Sequence, residues 1–210
     1  MFEVVSYPLE RDGRVWLHRR TPQLHPIHHH DDLEFTLVTT GTARCIVSGR
    51  RYDMTPGDLL WLFPDQEHQI IDMSLDFACW IMVIRQRALR GLHRDPHYGS
   101  LTSRDPAGSW LRRLSRAEAM ALGAMYADLA DAPVLRVNPG IRYALLRTWD
   151  VYLGKPEIVV TALHPGVTAA CTALAQDPER ELAAVARNAG FSLSRLEHLW
   201  LLPRLERHIF

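Results

Sequence analysis

The chain has almost no lysine. Of 24 basic residues only Lys155 is one, and because arginine codons are rich in G and C, this bias points to a GC-rich bacterial genome. Cysteine is also scarce. Cys45, Cys79 and Cys171 are odd in number and far apart, which excludes a disulfide framework and a zinc-ribbon pattern. Net charge is absent, with 24 basic residues against 24 acidic ones. The chain as a whole therefore advertises neither a nucleic acid nor an acidic membrane as partner, and any such partner must rest on a local feature. Long hydrophobic runs are missing too. Ala78–Ile84 is the longest candidate, far short of the roughly 20 residues a membrane-spanning helix needs. The start, MFEVVSYPLERDGRVW, lacks the basic and apolar regions of an export signal. A reduced, cytoplasmic protein is the expectation.

What is present changes along the chain. Up to about residue 85, short alternating runs at Glu34–Val38, Ala43–Val47, Leu59–Phe63 and Phe77–Ile84 are separated by Thr40-Gly41, Ser48-Gly49 and Pro56-Gly57-Asp58. Short strands at such regular spacing favour a barrel or sandwich. Residues from about 86 to 108 show no clean period. Ser109–Ala130 then carries Leu111, Leu114, Ala121, Met125 and Leu129 near helical spacing. A turn is expected around Pro133, Pro139 and Gly140, followed by a helix over Ile141–Leu153. This hairpin either covers the barrel or forms a dimer contact, and the stripe reads alike in both cases. Three helices are expected beyond it. The first is His164–Gln176, with Pro165 in its first turn. The second is Glu181–Ala189, with Leu182, Val185, Ala186 and Ala189 on one side, packed as a buried stripe. The third is capped by Ser192 after Gly190 and contains Leu196, Leu199 and Trp200, with Pro203 interrupting it. The reading is α+β, divided as 1–105, 106–160 and 161–210.

The densest chemistry lies in HPIHHHDDLEF, His25 to Phe35, with four histidines and three carboxylates. It is either a metal site or a polar loop entering the barrel. On one strand, His28, His30 and Glu34 share a face by parity, and a neighbouring strand brings His68 alongside. Three imidazoles and one carboxylate suit Zn, Ni, Fe, Mn or Cu with room for a further ligand. His25 and His29 read as solvated. The spacing resembles the cupin family, whose first motif runs His-x-His, Glu, Gly, here His28, His30, Glu34 and Gly41. The second motif resembles Gly57–His68, GDLLWLFPDQEH. Departures fall at Pro22, Phe63, Asp65 and Asp72, where the family carries glycine, proline, glycine and asparagine. The resemblance covers roughly residues 20–85. It implies a double-stranded β-barrel and a divalent metal at those four ligands.

The tail ELAAVARNAGFSLSRLEHLW resembles the first helix-turn-helix of the AraC-type (AraC/XylS) transcription regulators, on Leu182, Val185, Ala186, Gly190, Ser192 and Ser194–Leu196. Those regulators join a cupin-like sensor to a helical linker and a DNA-binding domain, the order seen here. The resemblance implies DNA and a small effector as partners, a homodimer, and Ser194, Arg195 and His198 facing the major groove. Arg195 suits a guanine. Ser192 would cap the helix and touch phosphate. Glu197 would accept from cytosine or close a capping box with Ser194. Two features run against a DNA reader. Residues 163–210 hold five arginines and five acids, whereas phosphate binding draws on excess positive charge. The family's second helix-turn-helix is also not continued in LWLLPRLERHIF, so a C-terminally shortened regulator is expected. Three functions stay open: a ligand-responsive regulator and not an enzyme, a metal-dependent cupin dioxygenase or isomerase, and a sensor that has lost DNA binding.

Overall fold

The computed structural model describes residues 1–20, 26–160, 162–177 and 179–198. Seven strands fill the first part of the chain: β1 (Gly13–Arg19), β2 (Leu33–Thr40), β3 (Ala43–Val47), β4 (Arg50–Met54), β5 (Asp58–Leu62), β6 (His68–Met73) and β7 (Ala78–Ile84). A short β8 (Leu111–Arg113) follows three 3₁₀ turns. Two antiparallel sheets result, ordered β1-β7-β2-β5-β8 and β4-β3-β6. The turns foreseen between strands carry the backbone that glycine permits: Gly41, Gly49 and Gly57 all have positive φ. Gly41 is also wedged against the Phe77 backbone, where a Cβ would come within 2.7 Å.

Strand periodicity builds four layers. In β2, Glu34, Thr36 and Val38 point between the sheets, while Leu33, Phe35 and Leu37 point the opposite way. The strand is buried on both faces, which explains its near-continuous apolar run. The outer face meets two helices, α1 (Arg116–Ala130) and α2 (Val134–Leu153). Trp61 packs edge-on against Trp149 at 5.2 Å, and Phe35 lies 5.6 Å from Tyr126. The helical hairpin's apolar stripe therefore covers the sheet. The smaller sheet has its own outer layer. Ile46 of β3 is buried with Val167, Ala170 and Cys171 of α3 (Pro165–Gln176), Val185 and Ala186 of α4 (Leu182–Asn188), and Leu196. Backbone contacts help to seat this layer, including a Leu163 N–H donating to the Gly49 carbonyl at 2.9 Å.

Several expectations need correction. The helix foreseen from Ser109 starts at Arg116, capped by Ser115 in a reciprocal box with Glu118. Leu111 instead sits in β8, where Arg113 donates to the fully buried Asp58 carboxylate at 2.7 Å. Pro139 and Gly140, expected in a turn, lie inside α2. Pro139 is near the helix start, and the carbonyl it deprives belongs to Leu135, a 94 % exposed residue that water can serve. Gly140 lets the helices approach, since a Cβ there would stand 2.2 Å from Leu129 Cδ2. Leu182, expected on a buried side, is 39 % exposed.

Candidate effector and metal site

A cavity of about 240 Å³ lies between the two sheets. Its apolar wall includes Trp16, Met54, Leu60, Leu62, Ile70 and Ile81, and its polar end gathers His28, His30, Glu34 and His68. A wider groove of about 580 Å³ runs beside α1 past Pro56 and Gly57. Arg116 is the one charged residue lining that groove, so it lacks the convergent polar groups that orient a small ligand. The chemistry is in the smaller cavity.

The three imidazoles arrive by different routes. His68 opens β6. His28 pairs with it as an isolated antiparallel bridge, the His68 N–H donating to the His28 carbonyl at 2.8 Å and the reverse bond measuring 3.1 Å. His30 follows in the loop before β2, and Glu34 stands on β2 itself. The expectation of one strand running through His28, His30 and Glu34 is thus corrected: β2 starts at Leu33, and a bend separates it from the bridge. The convergence survives because the bridge to His68 fixes His28. One ring nitrogen from each of His28, His30 and His68 falls within 4.8 Å of the others. Glu34 reaches the group through His30, its Oε2 3.1 Å from His30 Nε2.

Ring orientation carries chemical meaning. Nδ1 of His28 lies 2.9 Å from the Pro26 carbonyl, that of His30 lies 3.0 Å from the Asp32 carbonyl, and that of His68 lies 2.9 Å from the Gln66 carbonyl. A carbonyl only accepts, so Nδ1 carries the hydrogen in each ring and Nε2 is the nitrogen left to bind. That is the arrangement in which proteins hold metal-ligating histidines. None of these three carbonyl partners was identifiable from sequence. Burial pushes His68 down to about 4, so its ring is neutral at pH 7, as a ligand must be. Burial opposes charge on His30 as well, yet its hydrogen bond to Glu34 and the nearby carboxylate charge raise it overall. Glu34 is lowered by the same pairing against its own burial.

One residue escaped the sequence reading. Glu3 lines the same cavity, and its Oε2 lies 3.2 Å from His28 Nε2. No sequence signal pointed to it: the apolar Phe2 and Val4 are the exposed residues, whereas Glu3, Val5 and Tyr7 are less exposed. His29, expected to be solvated, is half-buried, with its ring edge-on to Phe2 at 5.7 Å. His25 and Pro22 lie outside the described residues.

In the tail, α4 and a helix over 193–198 are joined by a turn in which Gly190 has φ +80°. Ser192 caps the second helix, its Oγ accepting from the Arg195 N–H at 3.2 Å. The cap at Ser192 places Ser194 inside the helix, so the alternative box between Ser194 and Glu197 is not formed. Leu196 is buried, while Ser192, Ser194, Arg195, Glu197 and His198 are exposed. Leu199, Trp200 and Pro203 fall outside the described residues. No helix among the described residues is long and apolar enough to cross a membrane.

Comparison with known proteins bears on the barrel. No curated protein matches. Among solved structures, the AraC-like transcriptional activator CuxR aligns at 16 % identity and TM-score 0.40, over 81 % of this chain and 60 % of that one. ToxT from Vibrio cholerae, solved with an unsaturated fatty acid bound, aligns at 10 % identity and TM-score 0.43, over 90 % of both chains. Oxalate decarboxylase of Bacillus subtilis aligns at 23 % identity and TM-score 0.31, over 37 % of this chain and 22 % of that enzyme. The chain thus spans less than two thirds of CuxR. The family match is to a ligand-binding module and not to a catalytic one: residues 15–114, the span that holds both sheets and the histidine pocket, match the AraC-like ligand binding domain.

Proposed function

We propose that this protein is a ligand-responsive transcription regulator. A small effector enters the cavity between the sheets, and the helices around Gly190 act as a helix-turn-helix on DNA. The observation that carries this reading is the placement of the two parts back to back. β3 presents Cys45 to the cavity and Ile46 to the tail helices, so one strand borders both. An effector that fits one arrangement of that wall better than another shifts the population of tail arrangements by its difference in affinity. Ser192, Ser194, Arg195, Glu197 and His198 form the DNA surface in this reading, with Arg195 on a guanine. Division at about residues 105 and 160, and pairing into a homodimer through the helical hairpin, belong to the same proposal. One such unit offers few base contacts, and paired half-sites supply the rest.

The polar end of the cavity sets the effector class. It suits a small molecule with an oxygen-rich, chelating head and an apolar body. His28, His30, His68 and Glu34 would hold a divalent transition metal such as Zn, Ni, Fe or Mn. The metal would supply a Lewis-acidic anchor for the effector's oxygens. The test is selection from a random duplex library at moderate salt by the purified full chain, with sequencing of the bound fraction. Enrichment of a repeated half-site that Arg195→Ala abolishes supports a regulator. No shared sequence, with or without small chelating acids, removes the DNA-binding half of the proposal.

A further inference from the structure

We propose that Glu3 is a metal-binding residue of the His28–His30–His68 site, so that two carboxylates close on the ion, Glu34 from β2 and Glu3 from the N-terminal segment. The inference rests on the metal reading of the cavity and adds a residue outside the span 15–114 that matches the ligand-binding family.

Three observations converge on Glu3. The first is its delivery. The Glu3 N–H donates to the His29 carbonyl at 2.9 Å, the His29 N–H donates to the Met1 carbonyl at 3.0 Å, and Phe2 packs on the His29 ring. Residues 1–3 are thereby paired to the very segment that carries two of the imidazoles. The second is the alternation of an extended chain: Glu3 and Val5 line the cavity while Phe2 and Val4 are exposed.

The third is the contact chemistry. His28 Nε2 has Glu3 Oε2 at 3.2 Å, and His30 Nε2 has Glu34 Oε2 at 3.1 Å. In both rings Nδ1 already faces a carbonyl, so each imidazole has an acceptor on both sides. In each pair Nε2 and a carboxylate oxygen face one another as two neighbouring ligands of one ion would. Neighbouring donors around an ion bonded at about 2.0–2.2 Å stand roughly 3.0–3.5 Å apart. Both contacts fall in that range. One nitrogen from each of His28, His30 and His68 lies within 4.8 Å of the others, and the two carboxylates flank this cluster at His28 and His30.

The experiment uses the full chain, freed of metal by a chelator and then dialysed. Zn(II) alone is titrated by calorimetry into wild type, Glu3→Gln, Glu34→Gln and His68→Gln, with His28→Asn as a second imidazole variant if His68→Gln does not fold. Amide exchange over residues 1–7 is followed with and without Zn(II). The expected result is one ion per wild-type chain, loss of binding in the histidine variant, and weakening by at least roughly tenfold in Glu3→Gln, the lower bound seen when only an outer partner of a ligand is lost. Zn(II) should also slow exchange of the Glu3 amide in wild type and not in Glu3→Gln. Equal affinity and equal protection in Glu3→Gln would overturn the inference, leaving Glu3 as a neighbour of His28 outside the ion's ligands while the imidazole site stands. Absence of uptake by wild type would overturn both.

Discussion

Replacing Ile46 with alanine should release the tail from the barrel before it harms either part. Ile46 is the buried barrel residue in the outer cluster, 2 % exposed, with Ile71 half-buried beside it. Its partners, Val167, Ala170, Cys171, Val185, Ala186 and Leu196, all come from the tail. Truncating a buried isoleucine to alanine costs about 2–5 kcal/mol, from lost transfer energy and from the cavity left behind. At about 1.4 kcal/mol per factor of ten, a loss near 3 kcal/mol raises the open population of the tail roughly a hundredfold. Hydrogen exchange reads this directly. The amides of Val185 and Ala189, bonded within α4 and its turn, should lose about two decades of protection. Those of Thr36 and Leu60, in the paired β2 and β5, should change little. Ile46→Val should show the same pattern at about 0.5–1.5 kcal/mol. Cys45→Ala, one residue along, should weaken the barrel amides first, because its side chain packs between the sheets. Uniform loss across barrel and tail in Ile46→Ala, or none in the tail, would refute docking through this strand.

Two further outcomes follow from burial. Tyr126 and Thr148 share a buried hydrogen bond of 2.6 Å between α1 and α2. Thr148→Val should cost about 1–3 kcal/mol in denaturant unfolding by stranding the tyrosine hydroxyl, and adding Tyr126→Phe should recover most of that loss. A double variant no more stable than the single one would contradict it. The thiols of Cys45 and Cys171 are pushed up to about 12 by burial, and Cys79 is raised as well. A raised thiol favours the protonated form, so at pH 8 only about one Cys45 in ten thousand is thiolate, the reactive species. Aromatic disulfide reagents should leave the native chain unlabelled at pH 8 and label all three cysteines after unfolding. Rapid native labelling that levels off near pH 9 would refute the assignment.

The strands that were legible in the sequence share a position. β2, β5 and β7 are the inner strands of the larger sheet and β3 is the centre of the smaller one. Buried on both sides by neighbours, they must be apolar or strictly alternating, and the pattern shows. β1, β4, β6 and β8 are edges. An edge has one partner and faces solvent, so sequences such as GRVWLHR and RRYDM keep their charges, and the alternation is lost. β8 has three residues, too few for any period, and its neighbours Leu111 and Leu114 blended into the helical stripe that follows. The histidines were legible because their spacing is a motif of residue types. Glu3 was not, since nothing in the order of residues says that the first few pair with His29. The carbonyls of Pro26, Asp32 and Gln66 were hidden for a different reason: every residue has a carbonyl, and only the folded chain decides which one meets a ring.

Those same carbonyls have a consequence for how the cavity can change. Each ring is steadied by a backbone group two residues away, His28 by Pro26, His30 by Asp32 and His68 by Gln66. The aim of the polar end is therefore written in three short stretches of chain and does not depend on the side chains of Met54, Leu60 or Ile70 farther along the wall. Anchor and fit are separate traits. If the cavity takes an effector as proposed, recutting the wall would redirect it to molecules of another shape while the same imidazoles met the same kind of head, so a small number of apolar substitutions would be enough to move it between chemically related ligands.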